Sequence, residues 1–101
     1  MTKAAFEALE AVYPQVIAEM PDEFDSHQFI LGLAQMYQQL YVQALVEYAG
    51  NDRPFEIVHG LLAKRLMNFP DLVKRSGVHV SKDIFQQDES ASIWLKVNRT
   101  Q

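Results

Sequence analysis

Read by the spacing of its apolar positions, the chain divides into three helical stretches and a strand-like end. The longest stretch covers residues 26–49, and from His27 to Val46 it carries no acidic or basic residue, counting histidine as neutral. Placed on a helix of about 100° per residue, Ile30, Leu33, Tyr37, Leu40, Ala44 and Tyr48 fall on one stripe, with Gln28, Gln35, Gln38, Gln39 and Gln43 opposite. Five amides in hydrocarbon would each be costly, so the run is read as a central helix of a folded domain and not as a membrane span. Its second side is not wholly polar, because Leu31, Val42, Val46 and Ala49 interleave with the amides. A helix apolar nearly all round is a buried one. The rest of the chain, a second copy or another protein is therefore expected to cover that side, with Tyr41 beside it as a further contact. Asp25 and Gln28 have the spacing of a capping box, Phe24 and Phe29 that of a hydrophobic staple, and Gly50 is placed to close the helix in a left-handed conformation.

Before it, residues 1–21 read as an amphipathic helix through Phe6, Leu9, Tyr13, Val16 and Met20, which Pro14 either kinks or splits. Residues 22–25 read as an acidic linker. After it, residues 53–69 form a third helix, with Asp52 as its cap and Pro54 in its first turn. Phe55, Val58, Leu61, Leu62 and Leu66 make its buried face, with Glu56, His59, Lys64 and Arg65 toward solvent. Gly60 in its middle costs about 1 kcal/mol relative to alanine, and a close contact with the central helix would account for it. Residues 70–77 are read as a short basic fourth helix ended by Gly77. The period then changes to two. Ala91, Ile93, Leu95 and Val97 alternate with Ser92, Trp94, Lys96 and Asn98, and Val78, Val80 and Ile84 supply a partner strand, so residues 78–98 are read as a hairpin. The expected fold class is α+β, mainly α: a three-helix core, a short fourth helix and a C-terminal β-hairpin.

At 101 residues the chain is expected to be a single domain. It has no cysteine, which removes disulfides, thiolate nucleophiles and cysteine-ligated metal from consideration. Nothing in residues 1–10 resembles a signal peptide, and the cytoplasm is the expected location. The net charge of −4 hides a segregation: residues 1–52 hold one basic and eight acidic side chains, residues 53–101 eight basic and five acidic. Such asymmetry points either to a polyanion-facing half or simply to a solubilising acidic half.

Three helices, a tight turn, a short basic helix and a terminal hairpin resemble, in element order, a winged helix-turn-helix domain over residues 26–98. The resemblance implies that residues 70–76 are the recognition helix and residues 78–97 the wing, and that Lys74, Arg75, Lys82, Lys96 and Arg99 contact duplex nucleic acid. The short helix offers no Asn or Gln and a single Arg for reading bases, so backbone contact is expected before sequence reading.

Catalytic chemistry finds little support. His27, His59 and His79 lie on separate elements with no i, i+4 pair, so no metal is expected. Ser76, Ser81 and Ser90 lack nucleophile-elbow glycines, Gly32, Gly50, Gly60 and Gly77 are isolated, and Asp22-Glu23 and Asp88-Glu89 lie in polar connections. No enzyme activity and no cofactor are expected. Two functions remain: a small regulator contacting nucleic acid through its basic half, or a protein-interaction or homodimer module using Leu31, Val42, Val46 and Tyr41, with no membrane partner in either case.

Overall fold

A computed structural model describes residues 4–97 of the chain. In order these form α1 (Ala4–Ala11), α2 (Tyr13–Ala18), β1 (Glu23–Asp25), α3 (Ser26–Met36), α4 (Gln38–Val46), α5 (Pro54–Lys64), a 3₁₀ turn (Arg65–Asn68), β2 (Val73–Lys82) and β3 (Asp88–Lys96). The fold is α+β, about half helical, with one antiparallel sheet in the order β1-β3-β2. Among the described residues no helix is long and apolar enough to cross a membrane.

Pro14 splits the first helix. It occupies the first turn of α2, where a missing N–H costs nothing, and Val12 stands at the junction. Apolar positions from every helix then meet in one core, with Phe6, Leu9, Val16, Phe24, Phe29, Leu33, Val58, Leu62 and Leu66 all sealed from solvent. Tyr13 lies at its centre. Its ring packs against Phe29 at 4.7 Å and Phe69 at 5.4 Å, and its hydroxyl donates to the Leu62 carbonyl at 2.5 Å. Burial pushes that phenol far above its ordinary pKa, which keeps it a donor. At the rim, Arg65 lies over the Phe6 ring and pairs with Glu10, tying α1 to the 3₁₀ turn.

The stretch at 26–49 is two helices and not one. Tyr37, at φ −131° and ψ 60°, ends α3 and begins α4. Breaking the stretch lets both halves turn their apolar residues, Phe29, Ile30 and Leu33 on one side and Tyr41 and Ala44 on the other, onto the same core. Its beginning is as expected: Asp25 accepts from the Gln28 amide at 2.9 Å, Gln28 returns the bond to the Asp25 amide, and Phe24 packs near Phe29. Its end is different. α4 stops at Val46, and Gly50 has no left-handed backbone.

Residues 70–77 are not a helix. Residues 70–72 turn, and Val73 opens β2, which pairs with β3 along its whole length apart from a bulge between Arg75 and Gly77. A two-turn helix is marginal by itself, whereas ten residues in a ladder satisfy their backbone groups cooperatively. The hairpin thus begins earlier than position 78, and Gly77 lies inside a strand. The linker at 22–25 is also corrected: Glu23–Asp25 form β1, the other edge of the sheet, with Phe24 opposite Trp94. Asp52 does not cap α5; Arg53 holds the cap position without a side-chain bond.

Candidate binding groove

The β2–β3 hairpin reaches past the core and leaves a groove of about 580 Å³ between its far end, the start of α3 and one side of α5. Two phenylalanines mark its mouth. Phe55, on the first turn of α5, and Phe85, in the hairpin connection, meet edge to face at 4.9 Å, yet remain 39% and 50% exposed. Phe55 was expected to be core. It faces the hairpin connection instead, against Phe85. Beneath them His59 stacks on Phe85 and on Tyr41, and its Nε2 shares a 2.6 Å hydrogen bond with the Tyr41 hydroxyl. Burial lowers the pKa of His59, an effect that nearby Asp83 opposes and His27 reinforces. Burial also pushes Tyr41 up to about 12. A neutral imidazole and a protonated phenol follow, with the O–H able to donate to Nε2.

The hairpin connection is held open by Asp83. Its Oδ1 accepts from the backbone amides of Phe85 at 2.8 Å and Gln87 at 3.0 Å, and the Gln87 and Phe85 N–H groups hold its carboxyl below the usual range against a smaller effect of desolvation. Gln86 takes φ 66°, the one left-handed non-glycine residue among those described. Side chains there are strained, so Gln86→Gly is expected to stabilise the protein by about 0.5–1 kcal/mol. A urea unfolding midpoint that rises for glycine and falls for Gln86→Val would bear this out.

A chain of polar side chains borders the groove at the start of α3. His27 Nδ1 lies 2.7 Å from Ser81 Oγ, Ser81 also bonds Asp25, and Asp25 Oδ2 lies 2.9 Å from His79 Nε2. In a nucleophilic triad the histidine stands between serine and acid. Here the serine stands between them, and Asp25 is occupied by the helix cap and His79. The arrangement fastens β2 to β1 and α3. Trp94 adds a neighbouring tie, its indole N–H donating to Ser26 Oγ at 3.1 Å. Among the described residues, no three His, Cys, Asp or Glu side chains are grouped to hold a metal ion.

The residues singled out for nucleic acid do not gather on a helix. Lys74 and Arg75 are exposed near the start of β2, an edge strand, and Arg75 donates to Ser92 Oγ. Lys82 pairs with Asp88 across the hairpin. Lys96 donates to the Ala18 and Met20 carbonyls at the end of α2. Arg99 lies outside the described residues. Of the residues singled out for an interface, Leu31, Val42 and Val46 are exposed, the two valines 53% and 65%, one turn apart on α4. Tyr41, by contrast, is only 8% exposed and turns inward to share its hydroxyl with His59.

The groove itself was missed from sequence. The signal that could have found it is Phe85, a large apolar residue followed by Gln86 and Gln87 in a hairpin connection. A phenylalanine placed there is sheltered only by something reached through the tertiary fold. No protein-family model, curated protein or solved structure matches this chain.

Proposed function

We propose that this protein is a non-enzymatic binding module that docks a segment of a partner protein in the groove between α5 and the hairpin. The observation that carries the reading is the pair Phe55 and Phe85, two aromatic rings left half-exposed at the mouth of a concave surface. Interface energy concentrates in such anchors beside a pocket, and isolated exposed aliphatics count for less. The expected result is that Phe55→Ser, Phe85→Ser melts within a few degrees of the parent protein but loses a partner that the parent retains in a quantitative pull-down from its host. Equal recovery by both would set the reading aside.

Nucleic-acid binding is a second reading, and Lys74 and Arg75 on an exposed edge strand favour it. Against it, the helix that precedes the hairpin is α5, whose solvent face offers Glu56, Gly60 and a single cation, Lys64, and Asp52, Asp83 and Glu89 stand nearby. Fluorescence anisotropy of a labelled mixed-sequence duplex is expected to show no binding at moderate salt. Steeply salt-sensitive binding abolished by Lys74→Glu, Arg75→Glu would reverse that order.

A further inference from the structure

We infer that the segment taken by the groove is basic, with lysine or arginine flanking an apolar residue, and that it crosses α5 at Gly60. The inference rests on the groove being the docking surface and adds the chemistry of what docks there.

Charge complementarity is the first argument. Asp52, Glu56, Asp83 and Glu89 all line the groove, against one guanidinium, Arg53, which is itself paired with Glu56 at 2.7 Å on the open surface. Of the lining side chains His59 does not offset this, since burial lowers it toward its neutral form. A low-dielectric concavity edged by one sign of charge concentrates the opposite sign and steers its approach. Phe55, Phe85, Ile30 and Ala63 line the same groove as these carboxylates, so an apolar side chain is wanted beside the cationic ones.

Gly60 is the second argument, and it is independent of charge. Glycine in a helix interior is destabilising by about 1 kcal/mol relative to alanine, and is tolerated where a neighbour comes too close for a Cβ. No neighbour does so here. A Cβ built at Gly60 meets no atom within 4 Å, the residue is exposed, and it lines the groove. The space that would explain this glycine is filled by something outside the chain. A peptide lying across the helix at that turn fills it, between Glu56 one turn before and Ala63 just after, both of which line the groove.

The test is a selection from a display library of short random peptides against the intact protein, followed by anisotropy titrations of the enriched sequences. The expected result is enrichment of peptides with lysine or arginine beside leucine, valine or an aromatic residue. Their affinity is expected to fall about tenfold in Glu56→Gln, Glu89→Gln and at raised salt, and about tenfold again in Gly60→Leu. Gly60→Ala separates binding from folding, because it is expected to raise the melting temperature of the free protein while weakening the peptide. Neutral or acidic peptides that still need Phe55 and Phe85 would overturn the basic partner and leave the groove as the docking surface. Basic peptides indifferent to Gly60→Leu would overturn the crossing point. Failure to enrich any peptide dependent on Phe55 and Phe85 would overturn both this inference and the reading beneath it.

Discussion

Tyr13→Ala is expected to destabilise the protein by about 3–5 kcal/mol, the largest loss among single substitutions considered. The ring is sealed from solvent between Phe29 and Phe69, so its removal leaves a cavity that three elements would have to close together. A contribution of that size is a large share of the stability of a domain this small. Tyr13→Phe divides the effect in two. It keeps the packing and removes only the hydroxyl, leaving the Leu62 carbonyl without its side-chain donor, for a loss of about 1 kcal/mol. Urea unfolding of both variants by circular dichroism is the measurement. A phenylalanine variant as unstable as the alanine variant would show that the hydrogen bond, not the packing, holds α2 to α5.

Asp25→Ala is expected to cost about 2–3 kcal/mol, because one carboxylate serves three elements. It caps α3 through the Gln28 amide, bonds His79 on β2, and belongs to β1. Burial taken alone would raise its pKa, but the Gln28 amide, Ser81, His79 and the nearby His27 outweigh burial, and the carboxyl lies below its ordinary 3.8. The folded protein therefore releases this proton more readily than the unfolded chain does. The corresponding stability is present in full above the unfolded value of 3.8 and is lost as pH falls through the lower native value. Asp25→Asn retains a capping acceptor without the charge, so it is expected to lose less than alanine at neutral pH and to flatten that acid limb. His59 adds an earlier step of the same sign. Its pKa lies below 6.5, so the unfolded chain binds the proton first, and stability declines as pH drops from 6.5 toward the native value. An unfolding free energy measured against pH should show both steps in the parent protein, the second weakened in Asp25→Asn.

Local signals survived into the structure wherever the deciding atoms are neighbours in sequence. The capping box of Asp25 and Gln28, the packing of Phe24 near Phe29, Pro14 in a first helical turn and the alternation of β3 depend on residues within a few positions of each other. Position 37 is different. Neither proline nor glycine marks Tyr37, and helical periodicity passes through it without interruption. The break is visible only in the tertiary structure, where both halves pack onto one core. Residues 73–77 fail as a helix for a related reason, since their preference is weak and β3, reached through a loop at residues 83–87, supplies a better set of hydrogen-bond partners. β1 is three residues long and becomes a strand only because Trp94 and its neighbours offer it an edge.

By itself the sequence determined the helix-rich α+β class, the apolar residues that seal the core, the beginning of α3 and the final strand, because periodicity and capping are written in local spacing. Tertiary structure alone decided that Tyr41 turns inward to His59, that Lys82 and Lys96 are spent on Asp88 and the end of α2, and that Phe55, Gly60 and Phe85 share one groove. The reason is geometric. Phe55 and Phe85 are thirty residues apart in the chain, and only the reach of the hairpin over α5 brings their rings to 4.9 Å.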